Sequence, residues 1–213
     1  MSKGEAPRDC PLCPRLVEFR RENRCIYPDY FNNPVPNFGP RDARLVIVGL
    51  APGLHGANRT GRPFTGDWAG DLLFATLLKH GLAKGKYEER ADDTLELVDC
   101  MIANAVRCVP PQNKPLPVEI KTCRQFLSAT LETMPNLRAA LCLGAIAHES
   151  LCKALDIKKS AFKFAHGARF ETDKLTVVAS YHCSRYNTNT GVLTEKMFDD
   201  VVKQAKMAAM IQI

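Results

Sequence analysis

The chain reads as an α/β protein in which a parallel sheet is covered by helices on both faces. Short apolar runs at 45–50, 98–105, 137–143 and 176–181 alternate with longer stretches of helical apolar spacing. Such alternation is the pattern of parallel strands joined by crossover helices. Polar loops follow Leu50, Ala105 and Tyr181, and ligands of such sheets bind beyond the carboxyl ends of the strands. With 213 residues, 46% of them hydrophobic, the chain can bury a real core and is expected to form one domain.

The elements follow in order. Residues 1–44 form a lead-in containing cysteine and proline, and 45–213 form the α/β core. Within the lead-in, Arg15–Arg24 is short, charged and helical. Tyr27–Pro40 is extended, because Pro28, Pro34, Pro36 and Pro40 forbid a helix. Leu45–Leu50 is apolar and β-branched and suits a buried parallel strand. Ala69–Leu82 carries Leu72, Leu73, Ala75, Leu77 and Leu78 at helical spacing and stops at Gly81. Val98–Ala105 is the second strand. Pro117–Met134 is a helix with proline in its first turn. Leu137–Leu143 is the third strand, and Ala145–Leu155 the helix after it. Thr176–Tyr181 is the fourth strand, with a polar loop beyond it. Thr194–Met210 is a closing helix with Thr194 as N-cap. No internal repeat or low-complexity tract interrupts this order.

Composition narrows the function classes. No apolar run approaches the roughly 20 residues of a membrane span, and Met1–Glu5 lacks the apolar stretch of a signal peptide. A cytoplasmic protein without a membrane partner is expected. A net charge of +6 permits contact with a polyanion without requiring it. Nine cysteines, an odd number with no signal peptide, argue against a disulfide framework.

The loop after the first strand, APGLHGANRTGRPFTGD at 51–67, is rich in glycine and arginine and ends on an acid. It lacks the Lys-Ser/Thr of a phosphate loop, and no dinucleotide-binding glycine fingerprint occurs. Its glycines let backbone N–H groups approach a ligand, and Arg59 and Arg62 can meet phosphates. Phe64 offers a flat apolar face. Asp67, an acid among arginines, is expected to stay ionised. Taken singly, these residues also fit a structural turn, with Phe64 in the core and Asp67 capping the next helix. In the second loop, Asn104 can both donate and accept, which matches a nucleobase edge; an ordinary turn residue is the plainer reading. In the third, His182 is placed to stabilise or protonate a leaving group, or simply to satisfy a backbone carbonyl. The Asn/Thr-rich run at 187–190 shows neither helix nor strand pattern and suits a nucleic-acid backbone or solvent.

Cys10 and Cys13 form a C-x-x-C pair, and Cys108 and Cys123 a looser second pair. Four thiolates hold zinc or an iron–sulfur cluster equally well by spacing. Cys25, Cys100, Cys142 and Cys152 read as small core residues. Cys183 lies beside His182 but lacks the third partner of a nucleophilic constellation.

Together these motifs resemble the iron–sulfur uracil-DNA glycosylases, most closely the family 5 (type B) branch. The stretches that carry the resemblance are GLAPGLHGANRTGRPFTGD at 49–67, NAVRCVPPQNKP at 104–115 and SYHCSRYNTNTG at 180–191. The cysteines at 10, 13, 108 and 123 match the family's cluster ligands in type and order. The resemblance spans nearly the whole chain. It implies a three-layer α/β/α sandwich with a central four-stranded parallel sheet, and a [4Fe–4S] cluster that makes 1–44 the cluster-binding segment. It also implies a monomer acting on DNA that contains uracil or other deaminated bases, hypoxanthine and xanthine among them, in base excision repair.

By residue, the resemblance makes Asp67 the branch's motif-one acid, Phe64 the ring that stacks on the base, Asn104 the base reader and His182 the motif-two histidine. Ala51 and Gly53 complete the base pocket, and Arg59, Arg62, Ser184, Arg185 and Asn187 contact DNA. One departure stands out. The family has His-Pro-Ser where this chain has Cys183, and loss of proline is expected to loosen His182 or alter the fit to DNA without abolishing chemistry. Two other classes remain: a glycosylase-like module that binds damaged or abasic DNA without turnover, and a zinc protein with an unrelated binding role.

Overall fold

The computed structural model describes residues 3–157 and 162–211. Four parallel strands are present: β1 (Leu45–Gly49), β4 (Cys100–Asn104), β5 (Ala139–Leu143) and β7 (Thr176–Ser180). Each is buried along its whole length, as strands covered on both faces must be. A fifth strand, β6 (Arg169–Glu171), pairs antiparallel with β7, so the sheet order is β4-β1-β5-β7-β6. This edge strand was not expected from the sequence: three residues with two outward charges carry no hydrophobic period. A separate ribbon joins β2 (Ala83–Lys84) to β3 (Glu96–Leu97).

Alternate residues of each strand feed two cores. Leu45, Ile47, Ile102, Leu141 and Val178 pack with α3 (Trp68–Lys79) and α7 (Glu195–Ile211). Val46, Val48, Met101, Ala140 and Val177 pack with α4 (Pro117–Glu132) and α5 (Ala145–Ala154). The result is three layers. Helix α1 (Pro14–Ile26) lies outside them and joins a small third cluster through Leu16, Val106, Cys108 and Cys123, and the single turn α2 (Ala57–Thr60) lies in the loop after β1.

The helix ends follow local chemistry. Thr194 Oγ1 accepts from the Met197 N–H at 3.2 Å and caps α7. After α3, Gly81 adopts φ +67°, and the N–H groups of Gly81 and Leu82 return to the carbonyls of Leu78 and Leu77. This glycine-centred stop closes α3 two residues before the expected end. Residues 27–40 have no regular element beyond a bridge between Phe38 and Ile102.

Beyond β7 the expected irregular loop contains a short helix, α6 (Arg185–Asn189), started by Ser184, whose hydroxyl accepts from the Asn187 N–H at 3.4 Å. Its residues are polar throughout, which hid it. Cys25 is exposed on α1 rather than buried, whereas Cys100, Cys142 and Cys152 are core residues as expected.

Candidate active site

A cavity of about 360 Å³ opens at the carboxyl ends of β1, β4 and β7. Its wall includes Ala51, Gly53, Phe64, Asp67, Asn104, His182, Ser184 and Arg185. The three loops singled out in the sequence therefore meet in one place. Trp68, Asn113 and Ala57 also line it, and sequence reasoning missed them. The chain's single tryptophan, directly after Asp67, was the available signal for the first.

Strand register places Asn104 beside Gly49. Asn104 is buried, and its Oδ1 has no hydrogen-bond partner among the described residues. Buried amide oxygens are rarely left so. Gly49 is required here, because a Cβ would lie 2.5 Å from Asn104 Oδ1 and 2.7 Å from the Phe64 ring. Phe64 itself has φ +54°, a conformation costly for an aromatic residue. Its ring is buried and lies 5.9 Å from the His182 imidazole at an interplanar angle of 27°.

Asp67 caps α3, its Oδ1 accepting from the Gly70 N–H at 3.1 Å. Its other oxygen lies against Gly53 and Gly56; a Cβ on Gly56 would meet Oδ2 at 2.5 Å. The glycines of this loop thus clear room for a carboxylate. Burial pushes the Asp67 carboxyl above its usual range, opposed by backbone N–H groups of Gly70 and Ala69. The expectation that arginines keep it ionised is corrected. Arg62 points elsewhere and pairs with Asp93, and Arg59 donates to the His55 carbonyl.

Arg62 is also corrected as a phosphate contact. Its guanidinium is buried, forks onto both Asp93 oxygens at 2.7 Å, and lies over the rings of Phe38, Phe74 and Tyr87. Burial opposes ionisation of Asp93, but this fork and two backbone N–H groups outweigh it and hold the carboxyl at about 2. Arg59 is exposed and free of carboxylates among the described residues. Arg185 is exposed above the Trp68 ring, 5.1 Å from its centre. The Trp68 indole in turn donates to Thr188 Oγ1 at 3.0 Å.

Neither imidazole nitrogen of His182 has a protein partner among the described residues, and burial lowers its pKa. Burial thus favours the neutral ring, with a nitrogen open to the cavity. Cys183 turns away into the core. Its thiol is fully buried, donates to the Ala69 carbonyl at 3.4 Å, and is pushed well up by burial. A thiol so placed is no nucleophile.

The cysteines at 10, 13, 108 and 123 line one small cavity between α1, α4 and the loop after β4. All four are free, and burial pushes Cys108 up to about 11 and Cys123 up to about 12. No group of three or more His, Cys, Asp or Glu side chains among the described residues is arranged around a single metal ion. A cubane cluster makes a different demand, since each cysteine binds a separate iron. Four soft sulfur donors facing one cavity beside buried guanidinium groups suit such a cluster chemically.

The family model described as "Uracil DNA glycosylase superfamily" matches residues 36–206. The chain belongs to the uracil DNA glycosylase superfamily. It is 44% identical to the type-5 uracil-DNA glycosylase of Thermus thermophilus, over 94% of each chain. It is 40% identical to the type-5 enzyme of Mycobacterium bovis over 95% of this chain and 79% of that one. For the type-5 enzyme of Pyrobaculum aerophilum the identity is 39%, over 92% and 88%. In this superfamily member no described helix is long and apolar enough to cross a membrane.

Proposed function

We propose that the protein is a monofunctional DNA glycosylase that hydrolyses the N-glycosidic bond of uracil in DNA. The unpartnered Asn104 Oδ1, buried beside Phe64, Asp67 and His182, carries this reading. An orphaned amide oxygen in a cavity suits a base edge that donates a hydrogen bond, as the uracil imide does. The names of the type-5 relatives support the same substrate.

The base must first leave the stack. Phe64 then lies against its face while Asn104 bonds its edge. As the bond to the sugar lengthens, the sugar gains positive charge and the base negative charge. Asp67, ionised, stabilises the cation and orients water, as carboxylates do in glycoside hydrolysis. Neutral His182 donates a hydrogen bond to the departing base, as in an oxyanion hole. Ala51 and Gly53 bring the loop backbone close. Arg59, Arg185 and Ser184 face the phosphates, and Asn187 acts through His182.

Cys10, Cys13, Cys108 and Cys123 would hold a [4Fe–4S] cluster, which supplies a cross-link between residues 1–44 and the 108–123 segment. Hypoxanthine and xanthine belong to the proposed range, since Asn104 both donates and accepts. The protein is proposed to work as a cytoplasmic monomer on DNA. The test is base release from a uracil-containing oligonucleotide in excess over protein. Multiple turnover supports the reading. Tight binding to uracil or abasic DNA without turnover would replace it with the inert module.

A further inference from the structure

Two cations are buried against the cysteine cavity, and among the described residues neither is in direct contact with a carboxylate; Glu5 reaches Arg107 only through Asn37. Arg20, on α1, is 3% exposed, and Arg107, just after β4, is 1% exposed. Both line the cavity that the four cysteines share. Arg20 Nη1 donates toward Cys108 Sγ at 3.5 Å and Nη2 donates to the Cys10 carbonyl at 3.1 Å. Arg107 donates from its backbone N–H to Cys123 Sγ at 3.3 Å. Its guanidinium reaches Asn37 Oδ1, the Gly4 carbonyl and Thr130 Oγ1, all neutral. The Nε–H of each arginine is buried and without a partner among the described residues.

Arg62 shows how the same chain treats a buried guanidinium elsewhere: it supplies a carboxylate, Asp93, to both nitrogens. Buried charges are paired or they face a metal centre. Among the described residues Arg20 and Arg107 have no carboxylate in hydrogen-bond contact and an incomplete set of acceptors, and both line the cavity of the four cysteines.

We infer that Arg20 and Arg107 are counter-charges for an anionic iron–sulfur cluster, holding it by N–H to sulfur contacts and raising its reduction potential. The inference rests on the cluster reading above. Four thiolate ligands leave such a cluster negatively charged, and an added electron makes it more so. Fixed positive charge and N–H donors at the sulfurs therefore favour the reduced form. The pair also ties α1 to the end of β4, where Asn104 sits three residues before Arg107.

The experiment compares the full-length wild type with Arg20→Met, Arg20→Gln and Arg20→Lys, each loaded with iron and sulfide. The readouts are cluster loss to a chelator, followed by visible absorbance, and the midpoint potential. Arg20→Met and Arg20→Gln should lose the cluster about tenfold faster or more, the usual effect of removing an outer-shell partner. Their midpoint should move to lower potential, and Arg20→Lys should restore it. If Arg20→Met does not fold, Arg20→Gln decides. Unchanged loss rate and midpoint in a folded neutral variant would overturn the inference and leave the cluster reading standing. A folded wild type that takes up no iron and sulfide would overturn the cluster reading itself.

Discussion

The Asn187 side-chain amide donates to the backbone carbonyl of His182 at 2.8 Å, closing the turn that carries the imidazole into the pocket. This bond commits the amide to the protein, and we propose Asn187 as a positioning residue for His182 in place of the phosphate contact expected from the sequence. Asn187→Ala should lower the rate of base release by about tenfold to a hundredfold, the scale of a misplaced catalytic group. The salt dependence of DNA binding should stay as in the wild type, because no phosphate contact is lost. A flatter salt slope at unchanged rate would restore Asn187 to the DNA contacts.

Arg62 makes the opposite kind of prediction. Arg62→Ala removes the cation from the Asp93 carboxylate, leaving it only two backbone N–H partners, and should cost about 3 kcal/mol of stability, measured by denaturant unfolding. The Asp93 carboxyl is depressed to about 2 from 3.8. Its stabilising contribution is therefore complete above 3.8 and is lost as pH falls toward 2. The variant should lack that part of the acid unfolding curve.

Burial of Asp67 has the reverse sign. A carboxyl raised above 3.8 in the folded state binds its proton more tightly there than in the unfolded chain. Its cost to stability is absent below 3.8 and develops as pH rises through the raised value. Asp67→Asn, which keeps a capping oxygen for Gly70, should therefore melt higher than the wild type at neutral pH. An equal or lower melting temperature would contradict the assigned burial cost.

The thiols should divide by exposure. Under non-denaturing conditions an alkylating reagent should label Cys25, the exposed one, well ahead of Cys100, Cys142 and Cys183, read by peptide mass spectrometry. Rapid labelling of Cys183 would show a loosened His182 turn, the effect expected of a cysteine in place of the family proline.

The chain holds a single tryptophan. Trp68 lies between the base cavity and a groove lined by Leu72, Ala75, Thr188 and Glu195. Binding of a uracil-containing oligonucleotide to an inactive variant should change its emission, and Thr188→Val should change it without DNA. No change on saturation with DNA would place the strand away from Trp68.

Much of the site was legible because a parallel sheet sends its strand ends to one edge. Once 45–50, 98–105 and 176–181 read as strands, Asp67, Asn104 and His182 had to converge. What was hidden depended on tertiary partners. Arg62 reads as a surface cation until Asp93, thirty-one residues on, is folded against it. Helix α6 has no apolar period, and β6 takes its hydrogen-bonded pairing from β7. Cys183 lies beside a histidine in the sequence, without the third partner of a nucleophile, and its burial shows only once the core closes over it.

The most direct test of the account is uracil release by the wild type and Asp67→Asn, compared under single turnover across pH. The account predicts that the variant is slower by about 100-fold or more, the scale of losing one preorganised electrostatic group. The wild-type rate should fall as pH drops through a value above the usual carboxylate range, and that limb should vanish in the variant. An Asp67→Asn protein as fast as the wild type, with the same acid limb, would contradict the role of Asp67 and move the chemistry to another group.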